Sequence, residues 1–270
     1  MKTYKRVLTI AGSDSGGGAG IQADIKTISA CGCFASTAIT AITAQNTVGV
    51  TDIHPIPIST LKKQIKAVLE DIGTDTIKIG MLHNSETIIA VRDAIKQFKI
   101  TNIVLDPVMV STSGNKLLQT DAIQTLIAEL ITKVRVITPN IPEAEILLGE
   151  KKLNQKDFPE HAKNLGRKYN VSVLLKAGHL EDNDLIDVFF NNETNEIIEL
   201  KSNRIITKNT HGTGCTLSSA LASFLAQGLE LNQAVKKAKH YINNAIIAGV
   251  DYSIGKGHGP VNHFYNYWEK

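Results

Sequence analysis

The segment Asn209-Thr-His-Gly-Thr-Gly-Cys-Thr216 runs straight into an Ala/Leu-rich stretch. Gly212, Thr213 and Gly214 are spaced to present successive backbone N–H groups at the start of a helix. Unpaired donors and the helix dipole make such a turn an anion hole for phosphate oxygens. Cys215 falls in the first helical turn. There it is either a thiolate favoured by the same field or a small residue packing the helix onto its neighbour. His211, just upstream, is a further candidate phosphate contact. A second glycine-rich turn, Gly12–Asp24 (GSDSGGGAGIQAD), also leads from an apolar run into a helix pattern. It lacks the Gly-Lys-Ser/Thr of a P-loop and the register of the dinucleotide fingerprint. It suits an anion or a close-fitting ring.

Three further segments end apolar runs with chemistry-bearing side chains: Asp106 in LDPVM, Asn140 and Glu143 in TPNIPEAE, and Lys176 in VLLKAGH. Two carboxylates beside an amide can hold Mg²⁺, directly or through waters, next to nucleotide phosphates. The bland readings are a capping Asp106 and a solvated first-turn Glu143. Lys176 is either a point charge for phosphate oxygens or a strand-end lysine snorkelling to solvent.

The elements that must position these groups alternate along the chain. Strand patterns are read at Val7–Ala11, Phe34–Ala44, Thr76–Ile79, Ile103–Leu105, Val134–Thr138 and Val171–Lys176. Helical spacing is read at Ala19–Ala30, Leu61–Ile72, Ser85–Phe98, Thr120–Ile131, Glu143–Leu148, about Asp157–Tyr169, Gly214–Gln227 and Asn232–Val250. Two strands near Ile186–Phe190 and Ile197–Leu200 bracket a turn-forming Asn191–Asn195. This alternation implies βαβ units, a mostly parallel sheet and helices on both faces, in one domain spanning residues 1–270. Ligands bind such sheets beyond the carboxyl ends of the strands. Gly12, Gln45, Met81, Asp106, Asn140 and Lys176 all follow strand patterns and therefore share one rim.

Composition excludes other classes. Among 270 residues, 29 Lys+Arg against 26 Asp+Glu leave a net charge of +3, too balanced for nucleic-acid or membrane-surface binding. The N-terminus reaches Gly12 before any signal-peptide core develops, and no run of roughly 18 apolar residues exists. The three cysteines, Cys31, Cys33 and Cys215, cannot all pair, and Cys31-Gly-Cys33 is too short a spacing for an ordinary disulfide. Reduced thiols and a cytoplasmic location are expected.

Taken together, LTIAGSDSGGGAGIQADIKT (8–27), TAITAQNTVGV (40–50), KIGML (78–82), LDPVM (105–109), ITPNIPEAEIL (137–147), KNTHGTGCTLSSAL (208–221) and GHGPVNHF (257–264) closely resemble the hydroxymethylpyrimidine/phosphomethylpyrimidine kinases of thiamine diphosphate biosynthesis. These enzymes belong to the ribokinase-like superfamily, a three-layer α/β sandwich. The resemblance implies ATP- and Mg²⁺-dependent phosphorylation of 4-amino-5-hydroxymethyl-2-methylpyrimidine to its monophosphate and then its diphosphate, by a homodimer. By motif position it makes Gln45 the pyrimidine-recognition residue, with Asp24, Met81, Gly12 and Ala19 in the same pocket. Cys215 stands where most ribokinase-like kinases carry Asp, and is inferred to take the substrate hydroxyl proton as thiolate. Asp106 and Glu143 are expected to hold the metal, and Lys176, Asn140 and His211 to contact ATP phosphates. Gly16 departs from the Ser, Cys or Pro common in relatives, without disturbing the helix-start anion site. Some relatives that also phosphorylate pyridoxal carry a cysteine just after D-P-V-M, in a lid. Here Val110 and Ser111 occupy that stretch and Ser111–Lys116 is the expected lid, which favours the pyrimidine over a pyridoxine/pyridoxal/pyridoxamine kinase of vitamin B6 salvage. A silent pyrimidine-binding module and a cysteine hydrolase built on Cys215 and His211 are the readings from other classes.

Overall fold

Alternate residues of each central strand face opposite sides of the sheet, and both sides are apolar. Val7, Val104, Val136, Leu174 and Phe189 pack on one side. Their neighbours Leu8, Leu105, Ile137, Leu175 and Phe190 pack on the other. The computed structural model describes residues 2–109, 117–178, 180 and 184–268. The expected lid residues Val110 and Ser111–Lys116, and His179, lie outside them.

The strands are β1 (Arg6–Asp14), β2 (Phe34–Gln45), β3 (Val50–Pro55), β4 (Thr76–Ile79), β5 (Ile103–Leu105), β6 (Val136–Ile137), β7 (Ser172–Leu175), β8 (Asp184–Asn191) and β9 (Glu196–Asn203). They form one sheet in the order β3-β2-β1-β4-β5-β6-β7-β8-β9. From β2 to β7 every neighbouring pair is parallel. Antiparallel β3 closes one edge and the β8–β9 hairpin the other. Helices α1 (Gly20–Ala30), α7 (Thr213–Ala226) and α8 (Leu231–Ile247) cover the Val7 face. Helices α2 (Ile58–Ala67), α3 (Ser85–Phe98), α4 (Thr120–Thr125), α5 (Ile141–Leu148) and α6 (Phe158–Tyr169) supply the Leu8 face. This is the expected three-layer α/β sandwich.

Departures from the sequence reading are local. The edge strand β3 is unforeseen; its residues are exposed or only partly buried, so it carries no alternation. Helices α2 and α4 continue as π turns, Val68–Ile72 and Leu126–Leu130, within the stretches read as single helices. Strand β6 is only two residues, although Arg135 and Thr138 N–H still donate to Ile103 and Leu105 carbonyls beside it. All three cysteines are free thiols. Among the described residues no helix is long and apolar enough to cross a membrane.

Helix α6 meets the sheet at a glycine. A Cβ on buried Gly166 would lie 2.3 Å from Phe190 Cδ1, an aromatic ring itself fixed in the core. Gly166→Ala is expected to destabilise the fold by about 1–3 kcal/mol through overpacking, despite the better helix propensity of alanine. A thermal unfolding midpoint at or above wild type would contradict this.

Candidate active site

At the carboxyl ends of the parallel strands lies a cavity of about 820 Å³. It is lined by Gly12, Ala19, Gln45, Met81, Asp106, Asn140, Glu143, Lys176, His211 and Gly212–Cys215, which is every expected catalytic, substrate, phosphate or metal residue except Asp24. It also takes in Asp14, which the sequence places on the same rim without a role, and Lys78 and Asp187, which the sequence reading passed over.

One end is the start of α7. Gly212 is its N-cap, with φ +78°. The φ is positive because the turn lies against the first glycine loop: a Cβ on Gly212 would sit 1.8 Å from the Gly18 carbonyl oxygen. His211 N–H donates to Gly259 O at 3.0 Å, and Thr216 Oγ1 donates to Gly212 O at 2.8 Å. The two glycine-rich turns and the C-terminal segment thus brace one another. Thr213 N–H donates to Thr210 O at 3.3 Å, and the Gly214 and Cys215 N–H groups that follow it in the first turn of α7 are left for an anion. Gly214 packs on the charged centre beside it, where an added Cβ would be 3.3 Å from Asp106 Oδ2 and 3.4 Å from Lys176 Nζ.

That centre is a buried cluster. Lys176 Nζ donates to Asp106 Oδ1 at 2.9 Å, as does Thr138 Oγ1 at 2.9 Å. Burial opposes the Asp106 charge, but Lys176 and Lys78 outweigh it and hold the carboxyl below its ordinary range. Burial likewise opposes the Lys176 charge, and Asp106 and Glu143 override it. Glu143 is the less satisfied partner. It closes a capping box, accepting from Asn140 N–H while Asn140 Oδ1 accepts from Glu143 N–H. Burial, reinforced by Asp106 and opposed by Lys176, pushes its carboxyl up to about 7. Neither carboxylate is a solvated turn residue, and Lys176 does not snorkel away. Among the described residues no group of three or more His, Cys, Asp or Glu side chains is placed to share a metal. Two carboxylates that strain each other's charge suit Mg²⁺, which takes one or two protein carboxylates and completes its shell with waters and phosphate oxygens.

Beneath the cavity, Asp24 is fully buried and does not line it. Its carboxylate accepts from Lys78 Nζ at 2.8 and 2.9 Å, Thr9 Oγ1 at 2.6 Å and Ser219 Oγ at 2.7 Å. Asp24 is therefore corrected from a substrate contact to the counter-ion of Lys78: the donors a buried carboxylate needs come from the protein. A lysine inside the apolar strand Thr76-Ile-Lys-Ile79 was the available signal. Ser219→Ala removes one hydrogen bond to a buried charge and is expected to cost about 1.5–3 kcal/mol in denaturant unfolding. A loss under 0.5 kcal/mol, within the ordinary range of surface changes, would show that water takes the place of the hydroxyl.

At the opposite end, Asp14 organises the first loop. Its carboxylate accepts from the N–H groups of Gly16, Gly18 and Ala19. His211 Nε2 lies 2.9 Å from Asp14 Oδ2 and 3.3 Å from Gln45 Nε2. Burial opposes the Asp14 charge; the His211 hydrogen bond and the backbone donors more than offset it, so its pKa is lowered. His211 thus spends Nε2 on the Asp14–Gln45 side, which leaves only its Nδ1 for the expected phosphate contact.

Cys215 lines the cavity as a half-buried residue of the first turn of α7. Burial pushes its thiol up to about 11; Lys78 and the Gly20 N–H pull it down, while Asp24 and Asp106 push it further up. The helix start does not produce a resting thiolate. The expectation of one is corrected, because two buried carboxylates and desolvation outweigh one ammonium and the backbone donors.

The family described as phosphomethylpyrimidine kinase matches residues 14–262. A hydroxymethylpyrimidine/phosphomethylpyrimidine kinase from Rhizobium meliloti is 45% identical over 97% of this chain and 98% of its own length. The solved phosphomethylpyrimidine kinase from Clostridium difficile is 42% identical, with a TM-score of 0.78 over 89% of this chain and 99% of that chain. The ADP complex of Bacillus subtilis pyridoxal kinase gives a TM-score of 0.89 at 34% identity, over 99% of this chain and 100% of that chain. Backbone shape alone does not separate the two activities; the identities favour the pyrimidine kinases.

Proposed function

The chain belongs to the phosphomethylpyrimidine kinase family, and we propose that it transfers the γ-phosphoryl group of ATP to 4-amino-5-hydroxymethyl-2-methylpyrimidine, and then a second to the monophosphate. The observation that carries this reading is one cavity joining the Gln45 amide to the Gly212–Gly214 turn and the Lys176–Asp106 pair. An amide reads an aminopyrimidine edge, offering a donor and an acceptor side by side. Gly12, Ala19 and Met81 enclose the flat ring. The α7 N–H groups, Lys176 and the free Asn140 amide nitrogen receive phosphate oxygens. Phosphoryl transfer proceeds through a loose transition state, so these preorganised donors carry most of the rate.

Asp106 and Glu143 are the residues that would hold Mg²⁺. Bound there, the ion would neutralise phosphate charge beside the transferring group. The continuous nine-stranded sheet supports reading residues 1–270 as one domain. A homodimer is proposed through the early strands, where Phe34 and Ile42 of β2 are 44% and 47% exposed. A cytoplasmic location accords with the free thiols.

Product formation with Mg-ATP tests the function. Hydroxymethylpyrimidine and its monophosphate are both expected to be phosphorylated, with pyridoxal much slower. Preference for pyridoxal, or an inert monophosphate, would move the chain to the vitamin B6 reading.

A further inference from the structure

Three polar side chains meet at the Gln45 end of the cavity, and the hydrogens among them can be counted. An ionised carboxylate only accepts. Asp14 Oδ2 takes the Gly18 and Ala19 N–H groups at 3.0 and 2.8 Å and His211 Nε2 at 2.9 Å, so His211 Nε2 carries its hydrogen. Gln45 Nε2 lies 3.3 Å from that same nitrogen, which sets one N–H against another. At the far end of the amide, Thr43 Oγ1 is 2.9 Å from Ser13 O and 3.0 Å from Gln45 Oε1. The one hydroxyl hydrogen is then divided between two acceptors. Turning the amide over relieves both ends. Oε1 then shares the single His211 Nε2 hydrogen with Asp14 Oδ2 as a three-centre bond, the amide nitrogen donates to Thr43 Oγ1, and the Thr43 hydrogen goes wholly to Ser13 O. The oxygen and nitrogen ends are nearly identical in shape, so the turned amide fits the same space.

We propose that His211, held by Asp14, is the positioning residue that fixes the Gln45 amide, so that the site accepts only a ring edge with a donor on the His211 side and an acceptor on the Thr43 side. The proposal rests on the aminopyrimidine reading and deepens it. After its internal bonds Gln45 retains one acceptor lone pair beside His211 and one N–H beside Thr43. A 4-aminopyrimidine offers the amino donor next to the N3 acceptor. Its 4-oxo counterpart offers the inverse, a carbonyl acceptor next to an N3–H donor. A freely turning amide reads both edges alike; a pinned one leaves the oxo compound with a donor facing a donor and an acceptor facing an acceptor.

The experiment measures Kd calorimetrically for the 4-amino and the 4-oxo hydroxymethylpyrimidine on the full chain without ATP. Wild type is expected to prefer the amino compound by about 100-fold or more, since a site built around hydrogen bonds strongly rejects a mismatched partner. His211→Phe keeps a ring and loses the donor; the preference is expected to fall to about fivefold or less, mainly by gain of the oxo compound. His211→Gln returns a donor and restores most of the preference. Thr43→Val frees the other end of the amide, is nearly isosteric, and lowers the preference at least about tenfold even if the Phe variant does not fold. A preference that stays at the wild-type ratio in the folded variants, with both affinities falling together, assigns His211 a merely structural role and overturns the proposal. So does a wild-type ratio within about fivefold. Wild type binding neither compound would instead overturn the pyrimidine reading itself.

Discussion

Gly212→Ala is expected to lower phosphoryl transfer from ATP about a thousandfold or more, far beyond its effect on folding. Removing a single preorganised donor from an anion hole costs on the order of 10²–10³ in rate. This substitution displaces the whole set. The added Cβ would meet the Gly18 carbonyl at 1.8 Å, and backbone cannot swing aside as a flexible side chain does. The two glycine turns must part, carrying the α7 N–H groups away from Lys176 and Asp106. The same φ occurs without a neighbour at Gly228, φ +86°, where an added Cβ meets nothing within 4 Å. Gly228→Ala therefore isolates the backbone penalty, about 1–2 kcal/mol, with wild-type turnover. Initial rates on both substrates, beside unfolding midpoints, separate the cases. If Gly212→Ala turns over within tenfold of wild type, the α7 start is not the phosphate site.

The layers, the parallel sheet and the rim were legible because they depend on periodicity. Apolar runs of a few residues alternate with amphipathic stretches, and strand ends collect the polar residues whatever the loops do. Pairings across the sheet were not. Asp24 looked like a ligand-seeking carboxylate because its counter-ion lies 54 residues away, and only the β1–β4 pairing brings Lys78 under it. Asp14 and His211 are 197 residues apart, so the histidine read as a neighbour of the phosphate turn rather than the partner of the other loop. Strand β3 escaped for a different reason: an edge strand with no fully buried residue leaves no hydrophobic signal. Cys215 illustrates a third limit. A helix start favours thiolate, but the charges that set its pKa come from β4, α1 and the residue following β5, and their balance is a three-dimensional sum.

That balance gives Cys215 a pH signature. With the thiol at about 11, roughly one molecule in 10⁴ holds a thiolate at pH 7. If the thiolate takes the proton of the substrate hydroxymethyl group, the first transfer must accelerate with pH. Thiolate rises tenfold per unit below its pKa, so single-turnover rates are expected to climb with unit slope through the neutral range and level only near 11. The second transfer starts from a phosphate monoester, a monoanion that becomes a dianion at its second pKa of about 6, and is expected to be flat from about pH 7 upward. Cys215→Ala should then slow the first transfer by about 10²–10⁴-fold and remove its slope, consistent with the loss of a general base. The second should stay within about tenfold, because positioning and charge neutralisation do not pass through the sulfur. Equal losses in both transfers, or a first transfer flat with pH in the wild type, would return Cys215 to a packing role. The loose transition state would then be served by the α7 N–H groups and Lys176 alone, with the proton leaving to the transferred phosphate or to solvent.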